Sequence, residues 1–306
     1  MDKKKKIAII AAACAAVVAI IVAVICIVGG NSDPFKDLPV QGIAAGEYHT
    51  SVLYADGTVA TVGGKNDLLS YECAQWTDVQ SIAAGSDFTA VILNNGFVQT
   101  TSAFQGNTTF WRNITAIAAG PDHLVGLCED GTVVATGNSL NTAKYAVEDW
   151  TDIVAVAAGE KYTAGLKSDG TVVLAGALNG DVSELENITA IAGGYTHLVA
   201  LTEKGKVKVI GDTSADYVDV DWSGVKSVSA GKEITVGIKK NGNVLIAGDN
   251  KLGRCFVEDW SDCIAVSCGL YHTTAVKSNG KLLSTQVLSG NENNLVGQDD
   301  VASLQK

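Results

Sequence analysis

The chain has 306 residues, 47% of them apolar and 18% charged, with 33 glycines, 3 prolines and a formal charge of −11. This balance excludes intrinsic disorder and a collagen-like fibre and leaves ample apolar material for a core. The acidic excess excludes nucleic acid as the expected partner, because a negative surface repels a phosphate backbone.

The N-terminus reads Met-Asp-Lys-Lys-Lys-Lys, and Ile7 to Val28 is an unbroken run of 22 apolar residues that includes Cys14 and Cys26. As a helix, such a run spans roughly 33 Å, enough for a hydrocarbon core of about 30 Å. Four lysines before the run and Gly29-Gly30-Asn31-Ser32-Asp33-Pro34 after it predict that residues 1–6 stay cytoplasmic. A cleaved signal peptide has a shorter apolar stretch and a small-residue cleavage site, so the expectation is an uncleaved single-pass anchor over 7–28. Residues 29–37 then form a tether, and residues 38–306 lie outside a bacterial plasma membrane.

Everything beyond the tether is periodic. A step resembling Ala-Ala-Gly places glycines at Gly46, Gly85, Gly120, Gly159, Gly194, Gly231 and Gly269, at intervals of 39, 35, 39, 35, 37 and 38 residues. Eleven residues after each stands a second glycine (Gly57, Gly96, Gly131, Gly170, Gly205, Gly242 and Gly280), preceded by Asp or Asn in six of seven copies. Asp-Gly and Asn-Gly are strong hairpin signals. Each copy therefore reads as strand, tight corner, strand, turn, strand and a variable stretch with room for a fourth strand. Seven copies predict an all-β, seven-bladed β-propeller with repeats 38–76, 77–111, 112–150, 151–187, 188–222, 223–260 and 261–306. Residues 299–304 align with 148–153, so Leu304 is expected to reach a strand that seals the ring.

All five tryptophans, Trp76, Trp111, Trp150, Trp222 and Trp260, lie nine residues before a repeat glycine. All four histidines, His49, His123, His197 and His272, lie three residues after one, where the other copies carry Phe88, Tyr162 and Ile234. One shared position per residue type predicts packing rather than chemistry. Equivalent positions in neighbouring blades are about 10 Å apart, too far to share a zinc ion. No cofactor and no metal is expected.

The stretch 153–159 followed by 162–173, Ile-Val-Ala-Val-Ala-Ala-Gly and then Tyr-Thr-Ala-Gly-Leu-Lys-Ser-Asp-Gly-Thr-Val-Val, resembles the regulator-of-chromosome-condensation repeat. The resemblance extends over 38–306 and is nearest to a short bacterial form found in a secreted β-lactamase inhibitor. It implies a seven-bladed propeller whose corners after each repeat glycine contact a target protein. By that resemblance Tyr48, Asp87, Asp122, Tyr195 and Tyr271 are the candidate contact residues, with Lys161 a further charged corner.

No phosphate loop, nucleophile elbow or metal-ligand spacing stands out. The expected function is thus a non-enzymatic protein-binding module at the outer membrane face or in the cell envelope. The alternatives are an inhibitor of a β-lactamase or penicillin-binding protein, and an enzyme acting on cell-wall glycan or peptide through paired carboxylates. Cys73, Cys128, Cys255, Cys263 and Cys268 are odd in number and leave any disulfide open. Asp149, Asp221 and Asp259, each just before a tryptophan, form an acidic set that suits solubility, a cationic partner or Ca²⁺.

Overall fold

The computed structural model describes residues 39–64, 67–104, 106–138, 142–211, 215–217, 220–250, 253, 255–285 and 300–305. The expected tail, membrane span and tether over 1–37 lie outside them; among the described residues no helix is long and apolar enough to cross a membrane.

Seven antiparallel three-stranded sheets follow one another in chain order, each with sequential inner, middle and outer strands. Blade 1 comprises β1 (Val40–Ala45), β2 (His49–Tyr54) and β3 (Val59–Gly63); blade 2 comprises β4 (Val79–Ala84), β5 (Thr89–Leu93) and β6 (Val98–Thr100). Blade 3 comprises β7 (Ile114–Ala119), β8 (His123–Cys128) and β9 (Val133–Gly137); blade 4 comprises β10 (Ile153–Ala158), β11 (Tyr162–Lys167) and β12 (Val172–Gly176). Blade 5 comprises β13 (Ile188–Gly193), β14 (Leu198–Thr202) and β15 (Val207–Ile210); blade 6 comprises β16 (Val225–Ala230), β17 (Ile234–Lys239) and β18 (Val244–Gly248). Blade 7 comprises β19 (Cys263–Cys268), β20 (Thr273–Lys277) and β21 (Leu282–Ser284). The described part of the variable stretches holds short helical pieces, α1 (Leu68–Cys73) and single turns at Thr142–Tyr145 and Val182–Glu184, rather than a fourth strand.

Residue size follows distance from the axis. Residues at the last two positions of the inner strands, such as Ala44, Ala83, Ala118, Ala157 and Ala230, line a narrow axial channel of about 90 Å³. Seven strands meet there, and small side chains predominate, with Val156, Ile191 and Val228 the larger residues of the wall. Middle strands lie between neighbouring blades and are buried along almost their whole length, which explains their nearly continuous apolar character.

The Asp/Asn-Gly turns also join blades. Gly57 has φ +77°, and an added Cβ there would stand 3.3 Å from the backbone of Asp78 and Val79 in the next blade. The close approach lets Val79 N–H donate to Gly57 O at 3.0 Å, and the same bond recurs from Ile114 to Gly96 and from Ile153 to Gly131. Only glycine combines that φ with that clearance.

Blade 7 meets blade 1 and closes the ring. Ala45 N–H donates to Ser267 Oγ at 3.0 Å, and residues of both blades share one core cluster with Val301 and Leu304. The sealing element is not a strand at Leu304 but a single helical turn, Val301–Leu304. The Tyr54 hydroxyl donates to Leu304 O at 2.7 Å, and Gln305 bonds Leu282 N and Gly280 O at 3.0 Å each. Side chains and backbone carbonyls thus secure the seam where strand pairing was expected.

Chain direction gives the propeller two unlike faces. Inner strands begin on the face carrying the Asp/Asn-Gly turns and end at the corners on the other. Val40 pairs with Tyr54, and Tyr54 holds Leu304. The entry of the chain and its last described turn therefore share the turn face, opposite the corners.

The common tryptophan position is partly a core position. Trp111 is buried, whereas Trp76, Trp150, Trp222 and Trp260 are half-buried, because the slot lies at the outer edge where one ring face meets water. Trp111, Trp150 and Trp222 lie over the middle strand of the blade they lead into, where a glycine makes room, and Trp76 packs in the cluster that contains Val91. A Cβ on Gly126 would be 2.9 Å from Trp111, one on Gly165 2.8 Å from Trp150, and one on Gly237 3.1 Å from Trp222. Trp150→Ala is expected to destabilise by about 2–3 kcal/mol, less than truncation of a fully enclosed aromatic. Urea unfolding measures this directly; a loss under about 0.5 kcal/mol, the size of an ordinary surface change, would show that the ring is not packed.

Candidate functional site: the corner rim of the axial channel

The four histidines are fully buried clasps between blades. Nε2 of His49 lies 3.0 Å from Thr89 Oγ1, that of His123 3.2 Å from Thr163 Oγ1, and that of His197 3.2 Å from Thr235 Oγ1. His272 makes the same contact across the closure, 2.7 Å from Thr50 Oγ1. The repeat glycine makes this possible: a Cβ on Gly46 would lie 2.4 Å from the His49 ring and 2.5 Å from Gly85 O. Burial drives the His49 and His197 pKa down to about 4 and that of His272 to about 3, and it lowers that of His123. These rings are neutral at pH 7.

At the other three seams the histidine position carries Phe88, Tyr162 or Ile234. Phe88 shares its core with Leu124, and Tyr162 with Leu198, while Ile234 in blade 6 precedes Thr273 in blade 7. The Tyr162 hydroxyl donates to His197 O. The threonine one residue after the histidine slot was the missed half of each clasp. Its signal was present: His49, His123, His197 and His272 all face a copy carrying Thr, whereas Phe88 and Tyr162 face copies carrying Leu.

Beyond these buried rings the corners surround the channel mouth. The residue directly after each repeat glycine stands nearest the axis, so Glu47, Ser86, Pro121, Tyr195, Lys232 and Leu270 line it. The next residue stands outside it, which places Tyr48, Asp87, Asp122, Lys161 and Tyr271 on a second ring. Five of the six candidate contact residues are therefore outer-ring residues, and Tyr195 belongs to the inner ring. The sequence offered both positions; nearness to the axis was not legible without the register of the corner.

The rim combines aromatic rings with carboxylates. Tyr48 and Tyr271, from blades 1 and 7, have ring centroids 5.6 Å apart. A hydrogen bond to Glu47, followed by burial and the Glu47 charge, pushes the Tyr48 hydroxyl pKa up. Burial and then the charges of Glu160, Glu47 and Asp122 raise that of Tyr195. Tyr195 thus stands among carboxylates of three other blades, with Lys232 Nζ 5.7 Å from its ring centre. All three tyrosines are half-buried, held by neighbours yet open on one side.

Two candidate residues have internal duties as well. Asp122 accepts from Nζ of Lys144, whose side chain is 2% exposed and also donates to Glu160 O at 2.9 Å. His123 and then Lys144 hold the Asp122 pKa down to about 2; at 3.7 Å the His123 Nδ1 contact is too long for a hydrogen bond, so Lys144 is the closer partner. Asp87 borders a recess of about 320 Å³ between blades 1 and 2, lined also by His49, Leu69, Glu72 and Ser102. There Glu72 Oε2 accepts from Ser102 N–H at 2.9 Å. Lys161 is exposed, 3.9 Å from Glu160.

The five described cysteines are free thiols. Burial raises the pKa of Cys268 to about 12 and that of Cys263 to about 11, which makes them packing groups. Asp149, Asp221 and Asp259 are exposed at the outer edge, far from the rim, and no cluster of three or more metal-ligating side chains occurs among the described residues.

The regulator of chromosome condensation (RCC1) repeat model matches residues 114–142, the span of blade 3 and the start of the stretch after it. No curated protein matches the chain in sequence. The CRINKLY WD40 ectodomain of the receptor kinase ACR4 from Arabidopsis thaliana is similar at 20% identity and TM-score 0.66, covering 80% of this chain and 93% of that one. Prp20p from Saccharomyces cerevisiae is similar at 19% identity and TM-score 0.61, covering 85% of each chain. Human WBSCR16 is similar at 16% identity and TM-score 0.57, covering 82% of this chain and 88% of that one. At these identities the likeness shows the fold, an RCC1-type repeat propeller.

Proposed function

We propose that this propeller is a non-enzymatic protein-binding module, anchored through residues 7–28 and displayed outside the plasma membrane. The observation that carries the binding reading is the rim: seven unlike corners on seven like blades, with Tyr48, Tyr195 and Tyr271 among carboxylates at the channel mouth. Half-buried tyrosines supply large contact area at small entropic cost and are enriched among residues that dominate binding energy. Two structural relatives support the reading. Prp20p is described with its binding to Gsp1p and histones, and the ACR4 propeller is a receptor-kinase ectodomain. The apolar run and its lysine flank support the anchor.

The test is capture from cell envelopes with the full chain as bait, beside a Tyr48→Ala/Tyr195→Ala/Tyr271→Ala variant. Loss of three such contacts is expected to weaken binding at least about 100-fold. Serine β-lactamases and penicillin-binding proteins belong in the same assay as purified targets, with inhibition as the readout. Equal capture by wild type and variant would remove the rim from the binding surface.

A further inference from the structure

The turn face divides by charge. The Asp/Asn-Gly turns of blades 1 to 4 carry Asp56, Glu129, Asp130 and Asp169 and a single lysine, Lys167. Those of blades 5, 6 and 7 carry Lys204 and Lys206, Lys239 and Lys240, and Lys277 and Lys281, with Glu203 the one acid among them. Six lysines thus occupy three consecutive turns of a chain whose net charge is −11. Four of the six are exposed and two, Lys239 and Lys277, half-exposed, and none forms an ion pair among the described residues. Asp212, Glu233 and Asp249 are the nearest acids in sequence outside the turns, and Asp262, at the entrance of blade 7, is the acid beside the arc: its backbone packs on Gly242 and accepts from Ser278 N–H at 2.8 Å.

The arc lies beside the point where the chain enters the propeller. Val40 begins blade 1 on the turn face, blade 7 is its neighbour, and the arc runs from blade 7 through 6 to 5. Residues 29–37 extend no further than about 3.5 Å each, so an anchor over 7–28 keeps this face within roughly 30 Å of the bilayer. We propose that the lysine arc docks on anionic lipid headgroups of the membrane holding the anchor, tilting blades 5 to 7 toward the bilayer. This rests on the anchor reading of the preceding section. Lysines at an anionic surface gain electrostatic attraction that falls away within a Debye length, so a short tether is what makes the arc effective. Docking by this face leaves the tyrosine rim pointing away from the lipid, free for a partner.

The test uses the full chain in vesicles of phosphatidylcholine alone or mixed with phosphatidylglycerol. A membrane-impermeant acylating reagent is added outside, and labelling of each lysine is read by peptide mass spectrometry. Lys204, Lys240 and Lys281 are expected to react several-fold more slowly in the anionic vesicles at low salt. Protection should fade at high salt, with Lys161 and Lys232 on the rim unchanged throughout. Equal labelling in both vesicle types, or protection of the rim lysines instead, overturns the proposal while leaving the anchor intact. Protection by a soluble polyanion that matches the effect of phosphatidylglycerol assigns the arc to another ligand and also overturns it. Failure of the chain to float with either vesicle removes the anchor reading itself, and the docking proposal with it.

Discussion

Acidification from pH 7 to pH 4.5 is expected to unfold the propeller. The four seam histidines are buried and neutral, with His49 and His197 held near 4 and His272 near 3 against an ordinary 6.5, and His123 shifted the same way. Between pH 6.5 and about 4 the unfolded chain binds protons at these rings and the folded one does not. Unfolding is then coupled to proton uptake, and stability falls as pH falls. At pH 4.5 each fully shifted histidine costs about 2–3 kcal/mol, and several together match the whole stability of an ordinary domain. Asp122, held near 2 against an ordinary 3.8, adds a further loss that starts below pH 3.8. Urea midpoints followed from pH 7.5 to 4.5 measure the effect. A midpoint that stays flat across that window would mean the rings are already protonated or are exposed.

His272→Ala is the single substitution expected to damage the fold most. It empties a fully buried aromatic site at the one seam that chain continuity does not hold, and it removes the 2.7 Å contact to Thr50. A cost of about 3–5 kcal/mol follows from the lost volume together with the lost hydrogen bond. The blade 2 to blade 3 seam offers a more discriminating version, since Phe88 and Leu124 occupy the same two positions there. His272→Phe keeps the volume but sets an apolar ring against a hydroxyl and should cost about 1–2 kcal/mol. Adding Thr50→Leu should recover much of that loss, so the double variant is more stable than either single one. Strict additivity in this double-mutant cycle would show that the two side chains do not form one clasp. The double variant should also be less acid-sensitive than wild type, since one of the four depressed histidines is gone.

The clasps also bear on why the ring holds seven blades. Histidine occupies blades 1, 3, 5 and 7, and an odd ring brings two histidine-bearing blades together at the closure. Blades 3 and 5 carry Leu124 and Leu198 where they receive Phe88 and Tyr162. Blade 1 carries Thr50 instead, and that residue meets His272. The first copy is therefore matched to the seventh, and Thr50 gives the buried Nε2 of His272 its hydrogen-bond partner.

Much of this was written in the chain. The repeat glycines, the Asp/Asn-Gly turns and the β-branched runs are local requirements of backbone geometry and strand burial. They determined seven blades and three strands in each, while the fourth strand that the variable stretch had room for is replaced, among the described residues, by short helical pieces. The shared positions of histidine and tryptophan likewise marked them as packing residues, because a residue type confined to one repeat position across most copies belongs to the scaffold. What the tertiary structure alone decided depends on contacts between copies and on distance from the axis. It showed that Lys144 is buried against Asp122 and that a helical turn rather than a strand carries Leu304, whereas the Thr50–His272 contact follows the spacing of the other three clasps. It also showed that Tyr195 stands nearer the channel than Tyr48 or Tyr271. Periodicity repeats what the blades have in common; the Lys144–Asp122 pair and the Tyr54–Leu304 contact each occur once, and a contact that occurs once has no period to reveal it.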